Sequence, residues 1–246
     1  MILPQRSAHL LVAPAWPLTL LTVVLCVAFV GLGRWQWQRG DLRQAEWDAF
    51  AQGADQVLPL GAQKLAALPR FAHVSVRGRL RADRQFLLDN RTHAGSAGYE
   101  VLTPLELADG RVLLVDRGWV PFTGYRAVLP NTSFTPADAT TIVGRVDELP
   151  SAGLAFGRTA PAVAGGWPKL TTYPHIEDLS AAFGSALASR IILLDPHAAD
   201  GYVRDWQPPG LAPARHWAYA IQWWGFAATL IVLWVVLAVR RARLSA

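Results

Sequence analysis

The side chain best placed to do chemistry is His216, which opens an apolar run reading Arg215-His216-Trp217-Ala218-Tyr219-Ala220-Ile221-Gln222-Trp223. Helical spacing puts positions 216, 219, 220 and 223 on one face, so His216, Tyr219 and Trp223 line up. An imidazole there could ligate a haem iron. Tyr219 and Trp223 could then flank a planar apolar macrocycle, and Arg215 could pair with a propionate. An ionisable residue at a membrane boundary marks a functional site by default. The competing reading is an interfacial histidine hydrogen-bonded to lipid headgroups or to the rest of the protein. His9, His73, His93, His175 and His197 are scattered rather than spaced as ligands, and read as surface or loop residues.

Two other constellations stand out. Arg34-Trp35-Gln36-Trp37-Gln38-Arg39 reads as an aromatic belt with snorkelling arginines. Alternatively, Trp35, Gln38 and Arg39, spaced by three and four, form one face packed on the domain or on the second apolar segment. Gln38 and Gln222 fall near the same interface, where a hydrogen bond between them would clamp two helices. Asp116-Arg117-Gly118-Trp119-Val120-Pro121 reads as a strand ending in a turn. Its Asp-Arg pair suggests an ion pair, and Gly118 beside Trp119 suggests backbone close to a ring. The chain contains no Gly-rich phosphate loop, no G-x-S-x-G elbow and no H-E-x-x-H helix, so catalytic residues and an enzyme activity are not expected. The single cysteine, Cys26, lies inside an apolar run, which leaves no disulfide framework and no thiolate metal site.

The elements that must position these residues follow from composition. Hydrophobic residues make up 52% and charged ones 17%, against about 25% charged in a soluble globular chain. The deficit is concentrated in two stretches. From Leu10 to Gly33 no side chain is charged, and Leu18–Leu32 is almost wholly apolar; Trp217–Val239 is equally free of charge. Each is long enough to cross a hydrocarbon core of about 30 Å. A cleaved signal peptide is the competitor at the N-terminus, but Trp35 and Trp37 stand where a peptidase requires small residues. The expected layout is a tail at 1–15, spans at 16–33 and 216–239, a domain at 34–215 and a tail at 240–246. Arg240, Arg241 and Arg243 mark the short tail as cytoplasmic. An even number of spans brings the N-terminus to the same side and puts the middle domain in the periplasm. Two spans without intramembrane charge offer no transport pathway. The net charge of +5 is carried mainly by Arg, without the dense basic stripe of a nucleic-acid-binding surface.

Between the spans the chain reads as short strands at Phe71–Leu80, Arg84–Asn90, Tyr99–Leu107, Arg111–Val120, Thr140–Asp147 and Arg190–Leu194. Ala108-Asp109-Gly110 signals a hairpin. One helix is expected after Pro174, with Glu177 and Asp178 in its first turn and Gly184 at its end. The first span should continue as helix to about Phe50, and 150–166 and Gln207–Pro213 read as loops. The expected class is an α+β membrane protein. Two transmembrane helices flank a mainly antiparallel β extramembrane domain, a sheet or partly closed barrel, with one helix.

Four blocks carry a family resemblance. They are Gly31-Leu32-Gly33-Arg34-Trp35-Gln36-Trp37-Gln38-Arg39, then Gly98-Tyr99-Glu100-Val101-Leu102-Thr103-Pro104-Leu105 running on to the segment Val115–Pro121. The weaker Gly166-Trp167-Pro168 follows, and last comes Arg215 through Ala227. Together they resemble the surfeit-locus (Surf-type) family of cytochrome c oxidase assembly factors, in its bacterial form. The resemblance implies a non-enzymatic role in maturing haem-copper oxidase, near haem a insertion into the large catalytic subunit, in the bacterial inner membrane. It implies transient haem a binding, with the histidine opening the last block, His216, as the iron ligand. Expected partners are the oxidase subunits, the haem a synthesis machinery and membrane lipid. The alternative within the family is a structural chaperone that stabilises oxidase subunits without touching haem.

Overall fold

A computed structural model describes residues 14–53, 56–151 and 157–244. Among these residues three α-helices and eight strands follow one another: α1 (Trp16–Gln52), β1 (Val57–Pro59), β2 (His73–Leu80), β3 (Phe86–His93), β4 (Ser96–Leu107), β5 (Val112–Pro121), β6 (Thr140–Asp147), β7 (Lys169–Thr171), α2 (Ile176–Phe183), β8 (Leu187–Leu194) and α3 (Pro213–Leu244). They form two compact units, a pair of long helices from the two ends of the chain and a domain over Ala49–Pro208.

The helix pair is held by glycines. A Cβ on Gly33 would sit 2.2 Å from Nε1 of Trp224, and one on Gly40 would sit 2.4 Å from Nε1 of Trp217. With no side chain at either position, the α1 backbone takes an indole of α3 directly against it. Trp37 lies between the same two rings, with centroids 5.6 Å from Trp224 and 6.1 Å from Trp217. Further along, Ala220 and Ala227 are buried, and Phe29 stacks on Trp223 at 5.6 Å. Trp217 and Trp224 are therefore packing residues of the helix pair. Both helices are long and apolar enough to cross a membrane, and both expose most of their apolar side chains, as spans facing lipid do. The expected first tail falls almost wholly outside the described residues.

The domain is a closed barrel. Strands β2, β6, β8, β5 and β4 are hydrogen-bonded in that order, and β4 returns to β2 through Gly78–Leu80 against Leu105–Leu107. The barrel closes because β4 is long: its first half pairs with β3 and its last three residues with β2. Alternation on β2 sends Val74, Val76 and Leu80 inward, where they meet Leu105, Leu113 and Ile192. Strands β5 and β8 are buried on both faces. Their other side, Leu114, Ile191 and Leu193, packs with Phe86 and Leu88 under Leu179 and Phe183 of α2. Helix α2 ends at Gly184, which is left-handed at φ 93°, and the His175 backbone N–H donates to Asp178 at its start. Gly110 turns the β4–β5 hairpin at φ 84°. Two three-residue strands, β1 and β7, extend the sheet in parallel at its margins and were not expected. The end of α1 joins this unit: Phe50 meets Phe71 edge-on at 5.2 Å, and Arg145 donates to the Phe50 carbonyl.

The segment from Asp116 to Pro121 is not a turn. Strand β5 continues to Pro121 with a bulge, since Arg117 and Gly118 together oppose Val101 alone. Gly118 adopts φ 109°, and a Cβ there would lie 2.6 Å from the Val203 carbonyl. The expected Asp116–Arg117 ion pair is also absent, because neighbouring strand residues point to opposite faces. Asp116 instead accepts the Gly118 N–H at 2.9 Å. Arg117 is buried between Phe134 and Tyr202 and donates to the Asp200 carbonyl. Trp119 lies over Gly98, so the ring-on-glycine contact exists but uses a different glycine.

Burial, reinforced by the nearby Glu100, holds the Asp116 carboxyl well above the ordinary carboxylate range. Glu100 is also pushed up by burial, but its 2.8 Å ion pair with Arg91 opposes the shift, so Asp116 keeps the proton longer. An acid raised in the folded state contributes stability that is complete below about pH 4 and fades as pH rises through the folded value. Asp116→Asn keeps the acceptor for Gly118 and removes that loss. The variant should therefore gain thermal stability over wild type progressively as pH rises above about 4. Gly118→Ala should lower stability by about 2–3 kcal/mol, since it combines backbone strain with a clash. Thermal unfolding of the full chain in detergent checks both.

Candidate functional site

The seam between α1 and α3 brings polar side chains together within the helix unit. His216 stands one turn into α3, half-buried, and its Nδ1 lies 2.9 Å from Oε1 of Gln36. Gln36 falls between Gly33 and Gly40, three residues after one and four before the other, and so shares their face of α1. The two ring-on-glycine contacts fix the separation at which this amide reaches this imidazole. Beyond the pair, Trp217 Nε1 donates to Asp41 Oδ1 at 3.2 Å, and Trp234 Nε1 donates to Thr19 Oγ1 at 3.1 Å.

His216, Tyr219 and Trp223 line one flank of α3, as their spacing requires. Tyr219 is 47% exposed, while Trp223 is half-buried and stacked on Phe29. Phe226 continues the flank, 5.7 Å from Trp223 and 5.8 Å from Phe29. Across the seam, the guanidinium groups of Arg43 and Arg39 are near enough to act on the imidazole electrostatically. Arg43 is occupied by Glu46 and the Pro209 carbonyl. Arg39 is exposed, with no hydrogen bond or ion pair among the described residues. Arg215 is likewise exposed. The flank thus presents a half-buried imidazole, a row of aromatic rings and nearby cations. That donor set suits a planar, apolar, iron-bearing ring with carboxylate substituents. Among the described residues, no group of three or more His, Cys, Asp or Glu side chains could hold a free metal ion.

The remaining sequence-derived candidates lie elsewhere. Trp35, Gln38 and Arg39 are exposed, so this face does not pack on α3; the residues that do are Gly33, Gln36, Trp37 and Gly40. Gln222 is exposed as well, and the expected Gln38–Gln222 bond is not formed. The clamp is Gln36 with His216. Gly118 and Trp119 belong to the bulge of β5 in the other unit. Gln36 was missed as a partner of His216. The signal for it was present in the spacing Gly33, Gln36, Gly40, since glycines on one face of an apolar helix mark where a second helix approaches.

A search of curated proteins returned no match. The profile of the SURF1 family matches residues 23–228. That span contains the whole domain, the seam from Cys26 to Ala227 and His216 itself, and the chain belongs to the SURF1 family.

Proposed function

We propose that the protein is an assembly factor for haem-copper oxidase that holds haem a in transit, with His216 as the iron ligand. Membership of the SURF1 family is consistent with a role in cytochrome oxidase assembly. The observation that carries the finer reading is the half-buried imidazole on an aromatic flank of a helix seam, with positive charge around it. In this reading His216 supplies one nitrogen to the cargo's iron. Tyr219 and Trp223 offer it ring faces, and Arg215 and Arg39 meet its carboxylates. Most of the binding energy comes from apolar area removed from water, at about 25 cal/mol per Å². One histidine is a weak hold, which suits a carrier that must release what it binds. Both ends of the chain are assigned to the cytoplasm and the barrel to the periplasm, because Arg240, Arg241 and Arg243 follow the second span within a few residues. The bacterial inner membrane is the location that the family resemblance implies.

Co-production with the haem a synthesis enzymes, followed by detergent purification, tests the reading through the visible spectrum. Wild type should carry a haem a spectrum, and His216→Ala should lose most of it. Haem absent from both proteins would sink the carrier role. It would leave a structural chaperone of the oxidase subunits, for which His216→Ala has no effect on oxidase assembly.

A further inference from the structure

We infer that Gln36 is the positioning residue of the His216 ligand, holding its imidazole in the tautomer that leaves Nε2 free. The inference builds on the ligand role proposed for His216, but its first test needs no haem.

A neutral imidazole has one N–H and one lone pair. With the proton on Nδ1, the ring donates to the Gln36 amide oxygen at 2.9 Å and its Nε2 lone pair stays available. With the proton on Nε2, the lone pair points at the amide and the outward nitrogen cannot ligate. Histidines that bind a metal characteristically donate their other N–H to a carbonyl or carboxylate, which fixes tautomer and ring orientation. Gln36 is the side chain placed for this, and its reach is set by rigid contacts on both sides. Gly33 lies under Trp224 one turn before it, and Gly40 lies under Trp217 one turn after it. The charged α1 groups that act on the ring, the guanidinium groups of Arg39 and Arg43, can only donate. Gln36 Oε1 is the acceptor that the structure places at Nδ1.

The choice of an amide also has a consequence for strength. A carboxylate at this position would pull more strongly on the Nδ1 proton and make Nε2 a better donor to iron. An amide makes it a poorer one, as a cargo site requires. Gln36→Glu reverses that choice while keeping the shape, and the neighbouring arginines favour the ionised form of the new carboxylate.

The first arm is nitrogen NMR of the haem-free, full-length protein in detergent with labelled histidine. It is recorded at about pH 8, above the ordinary imidazole range, and His216→Gln identifies the His216 signals. Wild type should show a protonated Nδ1 and an unprotonated Nε2, and Gln36→Leu should shift His216 towards protonated Nε2. Protonated Nε2 in wild type, or signals unmoved in Gln36→Leu, would overturn the inference. The second arm uses protein loaded with haem a. Gln36→Leu should retain haem roughly 10–100-fold less well. Gln36→Glu should retain it at least as well as wild type and show a lower reduction potential. Retention and potential unchanged in both variants would also overturn it. Wild type that takes up no haem yet shows the expected tautomer would remove the carrier role and leave the control of His216 by Gln36 standing.

Discussion

Two bare stretches of α1 backbone, at Gly33 and Gly40, each lie against an indole ring of α3, and the geometry of the helix pair depends on that closeness. In a bilayer the helices gain little by hiding apolar surface from one another, since lipid is equally apolar. Close packing and the occasional hydrogen bond must supply the association. The seam uses both: rings seated on glycine, alanines buried further along, and polar pairs at Gln36–His216, Trp217–Asp41 and Trp234–Thr19. A side chain at Gly33 or Gly40 would have to displace an indole, and the reach of Gln36 would change with it.

The domain solves a different problem. A five-stranded closure leaves the barrel strands without free edges along their paired lengths. It also obliges β5 and β8 to be buried on both faces, one inside the barrel and one beneath α2. Asp116 sits on such a strand, at a bulge where its carboxylate can accept the N–H of Gly118. Nearby, Arg117 is accommodated between two aromatic rings. Two of the polar groups that the fold buries, Asp116 and Arg117, thus sit where the ladder is irregular and the backbone offers partners outside the regular pairing.

Much of this was legible beforehand, for identifiable reasons. The absence of charge marked both long helices, and alternation marked β2, because one of its faces is buried. The hairpin at Gly110 and the end of α2 at Gly184 each needed a left-handed residue and had glycine. Strands β1 and β7 were missed because three residues are too few to show a period. The bulge was read as a turn because both place a glycine at positive φ, and only the pairing partner tells them apart. His216 was found from its position at the mouth of an apolar run. Its partner Gln36 was not, because the partner lies 180 residues away and is selected by which face of α1 meets α3.

That separation also orders events during synthesis. The two halves of the seam emerge from the ribosome 180 residues apart. At about 5–20 residues per second, α1 waits roughly 10–35 s before His216 exists to meet it. All of the barrel is polymerised in that interval. The imidazole and its amide partner can therefore meet only in a chain whose domain has already been made. A truncated or stalled product has half a seam and lacks His216, so the pair with Gln36 cannot form in it.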